Sequence, residues 1–289
     1  MWPFERQADV VRVGRNRIEY WASSARGLVL RGEQALGGAG GPQAAGLAAS
    51  LGRLLQAVQS DAAMSRRSTM RVDVVFESAW LPIMLIEVGQ SPWSRRPLVA
   101  LLRHRFSRLY NERDDPISAW HLQLDHRAGD ARGLGYGLAP SIRQAAIDAT
   151  GAAGLRLASL QPAFSWGWQR LQRHRRSRFG AARRDGWWLW IEQDRAMACC
   201  LDARGHLQSL NAGAAVPEDA AQCQRLIEIE ALRQGSPAQE ARGVVAGWQL
   251  ASHASRTRAG DRLSFVTVAA EGAVQPFGAA APVHAGARG

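Results

Sequence analysis

Apolar residues recur along this chain at two periods. Val10–Val13 is a short apolar run broken only by Arg12, and the turn signal Gly14-Arg15-Asn16 follows it. Arg17–Trp21 alternates polar and apolar positions, as a half-buried strand does. Gly27–Leu30 reads as a third strand, followed by a glycine-rich break from Gly37 to Gly41 with Pro42. Leu47, Leu51, Leu54, Leu55 and Val58 then return at helical spacing, and Arg71–Phe76 reverts to strand. The opening order is β-β-β-α-β.

The middle is more mixed. Ile83–Val88 reads as a strand, Pro97–Leu109 as a basic helix, and Trp120–Leu124 and Leu134–Leu138 as strands. Pro140 opens a helix through Ala153 that Gly154 closes. Leu155–Leu160 is a strand, and Pro162 opens a helix carrying Trp166, Trp168 and Leu171. The arginine-dense run Arg173–Arg184 reads as a linker.

Beyond it the first pattern returns. Trp187–Ile191, Ala196–Leu201 and His206–Leu210 form three strands, with Trp188 and Trp190 on one face and Trp187 on the other. A helix follows with Leu226, Ile229 and Leu232 as its apolar positions, then strands near Val244–Leu250 and Leu263–Val268. From Glu271 the composition turns to Ala, Gly and Pro, the signature of a disordered tail.

A β-β-β-α unit near each end predicts an α/β chain of two ribonuclease-H-like layers in tandem, an actin-like two-lobed architecture. Residues 1–178 form the first lobe with an insertion at about 77–139, 179–272 the shorter second lobe, and 273–289 the tail. The competing reading is an α+β protein whose three-strand meanders repeat by chance.

Composition narrows the chemistry. All 36 basic residues are arginine, which excludes a Walker-type phosphate loop, a Schiff base and a kinase-type lysine. Against 25 acidic residues they give a net charge of +11. Cys199, Cys200 and Cys223 make neither a disulfide framework nor a metal-ligand spacing, so a reducing compartment fits. The start lacks a signal-peptide core, and Leu81–Val88 is too short and too broken to cross a bilayer. The expectation is a cytoplasmic protein, peripheral at the inner membrane if it works there.

No catalytic motif stands on spacing. His121, Asp125 and His126 place only two of three groups on one strand face, and a strand end leading into a turn accounts for them. His104 sits on the basic helix with no local partner. Asp114 and Asp115 with Pro116 read as a turn. Arg170, Arg173, Arg175, Arg176 and Arg178, preceded by Trp166 and Trp168, are the sharpest charged feature. They are the candidate contact for a partner or an anionic membrane, with nucleic acid the less favoured occupant and a solvated face the plain alternative.

The run SPWSRRPLVALLRHRFSRLYN, Ser91–Asn111, resembles a segment of the actin-like assembly proteins of type IV pili and of the cytoplasmic domain of the L-type component of type II secretion. Pro92, Trp93, Arg103, His104, Phe106 and Tyr110 carry the likeness, and Ala152–Trp168 adds a Gln-Pro turn into a helix. It spans roughly residues 70–215. Nucleotide-binding members hold ATP between the lobes, with an acidic residue in the first hairpin and an Asp-Gly turn opening the second lobe. Here Gly14 is present, but Arg12 stands where the acid is expected, and Trp187–Cys200 contains no Asp-x-Gly. Such an arginine can touch phosphate but cannot hold magnesium.

The resemblance therefore implies a scaffold without ATP hydrolysis, and no catalytic, cofactor or metal residue is carried over. It implies a non-catalytic cytoplasmic role in assembling a pilus-like or type II secretion platform through protein contacts. The partner is an inner-membrane platform protein, whose short N-terminal tail enters a groove of one lobe, and self-association is allowed. The alternatives are an active actin-like ATP-binding protein with divergent motifs and a basic nucleic-acid-binding protein.

Overall fold

A computed structural model describes residues 8–24, 27–36, 43–60, 71–89, 95–110, 116–126, 131–178, 186–202, 206–214, 216–217, 219–237, 243–248 and 263–267. In chain order the first half holds β1 (Asp9–Val13), β2 (Arg17–Ser24), β3 (Gly27–Ala35), α1 (Ala44–Ser60) and β4 (Arg71–Phe76). Then come β5 (Ile83–Glu87), α2 (Arg95–Leu109), a 3-10 turn Ile117–Ala119, β6 (His121–Asp125) and β7 (Arg132–Leu138). Helix α3 (Pro140–Ala152), β8 (Arg156–Pro162) and α4 (Ala163–Arg178) complete it. The second half holds β9 (Gly186–Ile191), β10 (Ala196–Leu201), β11 (Leu207–Ala214), α5 (Ala220–Arg233), β12 (Gly243–Gly247) and β13 (Leu263–Thr267).

Two five-stranded sheets share one plan. The first runs β3-β2-β1-β4-β8 and the second β11-β10-β9-β12-β13. In each, an antiparallel meander starts from the central strand, and two later strands add parallel on its other side. β1 and β9 are central, and every residue of β1 is buried, which explains the near-continuous apolar run of DVVRV. The mixed α/β architecture is actin-like. A third sheet, β5-β7-β6, is antiparallel and lies between β4 and α3 in the chain.

Helix α1 buries the five apolar positions its spacing announced. It packs with α3 against the first sheet. α2 covers the small sheet through Leu98, Leu102 and Phe106, which form a separate core with Ile86, Val88 and Ile117. One face of the second sheet shares the core of the first: Trp188, Trp190, Met197, Cys199, Val244, Ala246 and Trp248 belong to the same buried cluster as Val11, Leu51 and Phe76, while its other face packs on α5 through Trp187, Leu189, Ile191, Cys223 and Ile227.

Three sequence expectations change. The stripe chosen for α5 is wrong: Ile229 and Leu232 are exposed, and the inner face is Cys223, Ile227, Glu230 and Ala231. The inner face accepts Glu230 because its carboxylate takes hydrogen bonds from Asn211 at 2.7 Å and Arg233 at 2.6 Å. The linker expected from Arg173 begins later, since α4 runs to Arg178, arginine being a good helix former. β3 extends to Ala35, because β2 offers paired backbone down to Arg17. The expected tail, residues 273–289, lies outside the described residues.

Candidate functional site

The turn after β1 and the turn after β9 occupy equivalent places in the two sheets, and they meet. Arg15 pairs with Asp194 at 2.7 Å, and the Asn16 backbone N–H donates to Gln193 Oε1 at 3.1 Å. Gly14 lies so close beneath Gln193 that a Cβ there would stand 2.4 Å from Gln193 Cδ. A larger residue there would have to push the Gln193 amide aside.

Arg12 lies just inside this junction and is 3% exposed. Its guanidinium donates to Glu77 from Nε at 2.8 Å and from a terminal nitrogen, and to Glu19 at 3.0 Å. Its charge is thus fully engaged within the fold. The expectation that Arg12 could contact phosphate is overturned, because a buried charge paired on two sides is not released cheaply. Arg12 also lies over the Trp248 ring, 5.3 Å from the centroid.

Two carboxylates cross from lobe to lobe. Glu77, just after β4, accepts the Gln193 backbone N–H at 3.2 Å. Glu192, just after β9, accepts the Ser78 hydroxyl at 2.5 Å and the Ser78 N–H at 3.0 Å. Burial pushes the Glu192 carboxyl up to about 8, the neighbouring Glu77 adds to the rise, and the Ser78 hydrogen bonds only partly oppose it. Burial also raises Glu77, against the pull of Arg12. Burial raises Asp194 too, but its hydrogen bonds to Arg195 and Arg15 outweigh that and leave it low.

Glu77, Glu192 and Asp194 bring carboxylate oxygens within 4.8 Å of one another, a grouping the sequence reading missed. The signal was present: both glutamates end apolar strands, in VVFE and WLWIE. The donor set does not fit the magnesium that an actin-like nucleotide site would need. Each carboxylate already faces protein donors: Arg12 and the Gln193 N–H, then Ser78, then Arg15 with Arg195.

Tryptophan fills the rest of the seam. Trp248 follows β12, is 1% exposed, and stacks on Trp166 of α4 at 4.7 Å with planes 8° apart. Trp21 lies 5.9 Å from it. Trp188 meets Phe164 at 4.4 Å and Trp168 at 4.7 Å, and Gly167 admits the Trp190 ring at a distance no Cβ would allow. The alternation read for Trp187, Trp188 and Trp190 holds, with Trp187 on the α5 side.

Of the residues expected to contact a partner or membrane, Trp166 is buried and its ring is occupied by Trp248 on one side and Arg170, at 4.8 Å, on another. Trp168 is half-buried and Arg170 likewise. The side chains of Arg173, Arg175, Arg176 and Arg178 lie outside the described residues, as do Asp114, Asp115 and the Gly37–Gly41 loop. His121 and Asp125 are exposed, and His104 is exposed on α2; none joins a metal-ligating group among the described residues. Burial holds Cys199 above the usual thiol range and lifts Cys223 to about 12, so neither is a ready nucleophile.

An open feature lies elsewhere. β8 is the last strand of the first sheet and β6 the last of the small sheet. Between them runs a groove of about 270 Å³, lined by Leu157–Leu160 of β8, His121 and Gln123 of β6, and Arg143 and Ile147 of α3. It adjoins a wider hollow of about 620 Å³ that shares His121 and Arg143 and reaches Arg103 of α2.

No protein-family profile and no curated protein matches the chain. Solved structures do. A Bacteroides thetaiotaomicron protein of actin-like ATPase fold and unknown function aligns over 86% of this chain and 84% of its own, at TM-score 0.51 and 11% identity. The PilM-PilN type IV pilus biogenesis complex aligns over 84% and 82%, at TM-score 0.53 and 14% identity. The cytoplasmic domain of EpsL, an inner-membrane component of the type II secretion system of Vibrio cholerae, aligns over 83% and 81%, at TM-score 0.45 and 13% identity. The chain thus has the actin-like fold, and the resemblance to actin-like assembly proteins seen in its sequence is present in its structure.

Proposed function

We propose that this chain is a non-catalytic scaffold that acts by protein contacts in assembling a type IV pilus-like or type II secretion platform at the inner membrane. We take residues 1–178 and 179–272 as its two lobes. One observation carries the reading: the seam between the lobes is occupied by the protein's own groups, Arg12 with Glu77 and Trp248 against Trp166. A magnesium-bound triphosphate would have to displace paired, buried charge from both lobes.

The groove between β8 and β6 suits a partner instead. Among the described residues it offers a strand edge without a neighbouring strand, beside apolar side chains, the arrangement by which extended segments are taken up. A short tail of a membrane-anchored platform protein is the occupant we propose. No helix among the described residues is long and apolar enough to cross a membrane.

The second reading is a nucleotide-binding enzyme, and the carboxylates of Glu77, Glu192 and Asp194 are what favour it. Calorimetric titration with ATP and magnesium separates the two. The scaffold gives no saturable heat and no phosphate release. Saturable binding that is lost on Glu77→Gln or Asp194→Asn would replace it with the enzyme.

A further inference from the structure

Helix α2 contains five arginines, one histidine and no carboxylate in its fifteen residues. Its inner face is fixed by Leu98, Leu102 and Phe106. Arg96, His104, Arg105 and Arg108 are exposed on the rest of its surface. None of these four has an acidic partner among the described residues. Arg103 is turned away, donating to the Ile117 and Ser118 carbonyls. At the C-terminal end Leu109 is 66% exposed.

This outer face differs from a typical protein-binding surface. Protein interfaces centre on aromatic or apolar anchors held in pockets. Between Arg96 and Arg108 the exposed positions of α2 carry no aromatic residue and no large apolar one. The face is a convex rod about 22 Å long with charge of one sign. What matches it is an extended plane of phosphates that asks for charge and makes no demand on shape. Arginine suits that plane well, since its guanidinium stays charged and bonds phosphate through two nitrogens.

We propose that the outer face of α2 is a peripheral membrane-docking surface that lies on anionic phospholipid headgroups. The surface is distinct from the β6/β8 groove, and it uses none of the arginines of α4. It stands or falls without the scaffold reading.

The test is co-sedimentation of the full chain with phosphatidylcholine vesicles, with and without about a third phosphatidylglycerol, at near-physiological salt. The wild-type chain sediments only with the anionic vesicles. Replacing Arg96, Arg105 and Arg108 together by Gln lowers that partitioning about a hundredfold, at an unchanged far-UV spectrum. A control chain with Arg31→Gln, Arg53→Gln and Arg225→Gln loses the same charge from other exposed positions and changes by less than about threefold. Absence of anion-dependent sedimentation, equal losses in both triple variants, or no loss in the α2 variant would each overturn the proposal; the last two would return the positive charge to a diffuse or α4-centred role.

Discussion

The Ser78 hydroxyl of the first lobe donates to the Glu192 carboxylate of the second at 2.5 Å, with both groups buried. The bond joins residues 114 positions apart, at the place where the equivalent turns of the two sheets meet. It makes the seam sensitive to protonation.

Glu192 has a folded-state pKa of about 8 against an ordinary 4.5, so the folded state holds its proton more tightly than the unfolded state does. Between those values unfolding releases a proton, and stability falls as pH rises, by up to about 1.4 kcal/mol per unit from this group. Above about pH 8 its contribution levels off. Glu192→Gln keeps an amide that resembles the protonated acid and removes this component. Urea titrations from pH 5 to 9 should show a shallower slope in the variant, and an unchanged slope would sink the assignment.

Arg12→Met leaves Glu19 and Glu77 buried without their shared cation. The expected cost is about 3–5 kcal/mol. Removing the charges together, with Arg12→Met, Glu19→Gln and Glu77→Gln, should recover part of that loss. Denaturant midpoints measure both. If the single variant is as stable as the wild type, the buried triad does not organise the seam.

Trp248→Ala opens a cavity between Trp166, Trp21 and the Arg12 guanidinium. A loss of about 3–5 kcal/mol is expected, with Trp248→Phe losing less. A single cooperative transition should persist in the milder variant. Two separate transitions in the wild-type chain would contradict a common core.

Gly14→Ala drives a methyl group into Gln193, at an ideal separation of 2.4 Å. The obstructing atoms are the far end of a flexible side chain, so the variant should lose only about 0.5–1.5 kcal/mol. Gln193→Ala in the same chain should restore most of it, because the obstructing atoms are then gone. A double-mutant cycle without coupling would show that the two turns do not touch in solution.

The face of α5 can be checked directly. Ile227→Ala should cost about 2–5 kcal/mol, whereas Leu232→Gln should stay within about 0.5 kcal/mol. Thermal melts that reverse this order would restore the stripe Leu226, Ile229 and Leu232.

What the sequence revealed was mostly local. β1, β2, α1 and the Trp188/Trp190 alternation were readable because burial imprints its period on consecutive residues. The repeat of β-β-β-α was readable for the same reason, and it led to the right architecture. The α5 face was misread because one inward position is a glutamate, compensated by Asn211 on β11. The groove of β8 and β6 could not be seen, since it depends on two sheet edges being brought side by side.

The seam was half legible. Arg12 was conspicuous as a charge inside an apolar strand, but its partner Glu77 lies 65 residues away, and only the paired strands bring them together. Trp248 was read only as part of a strand near Val244–Leu250, which ends at Gly247. It stands alone after a short strand, and its importance comes from Trp166 being stacked upon it.

Trp166 and Trp248 come from opposite halves and hide each other's rings. Swinging the halves apart would wet both indole faces, so any opening of this joint has to offset the loss of that dry contact.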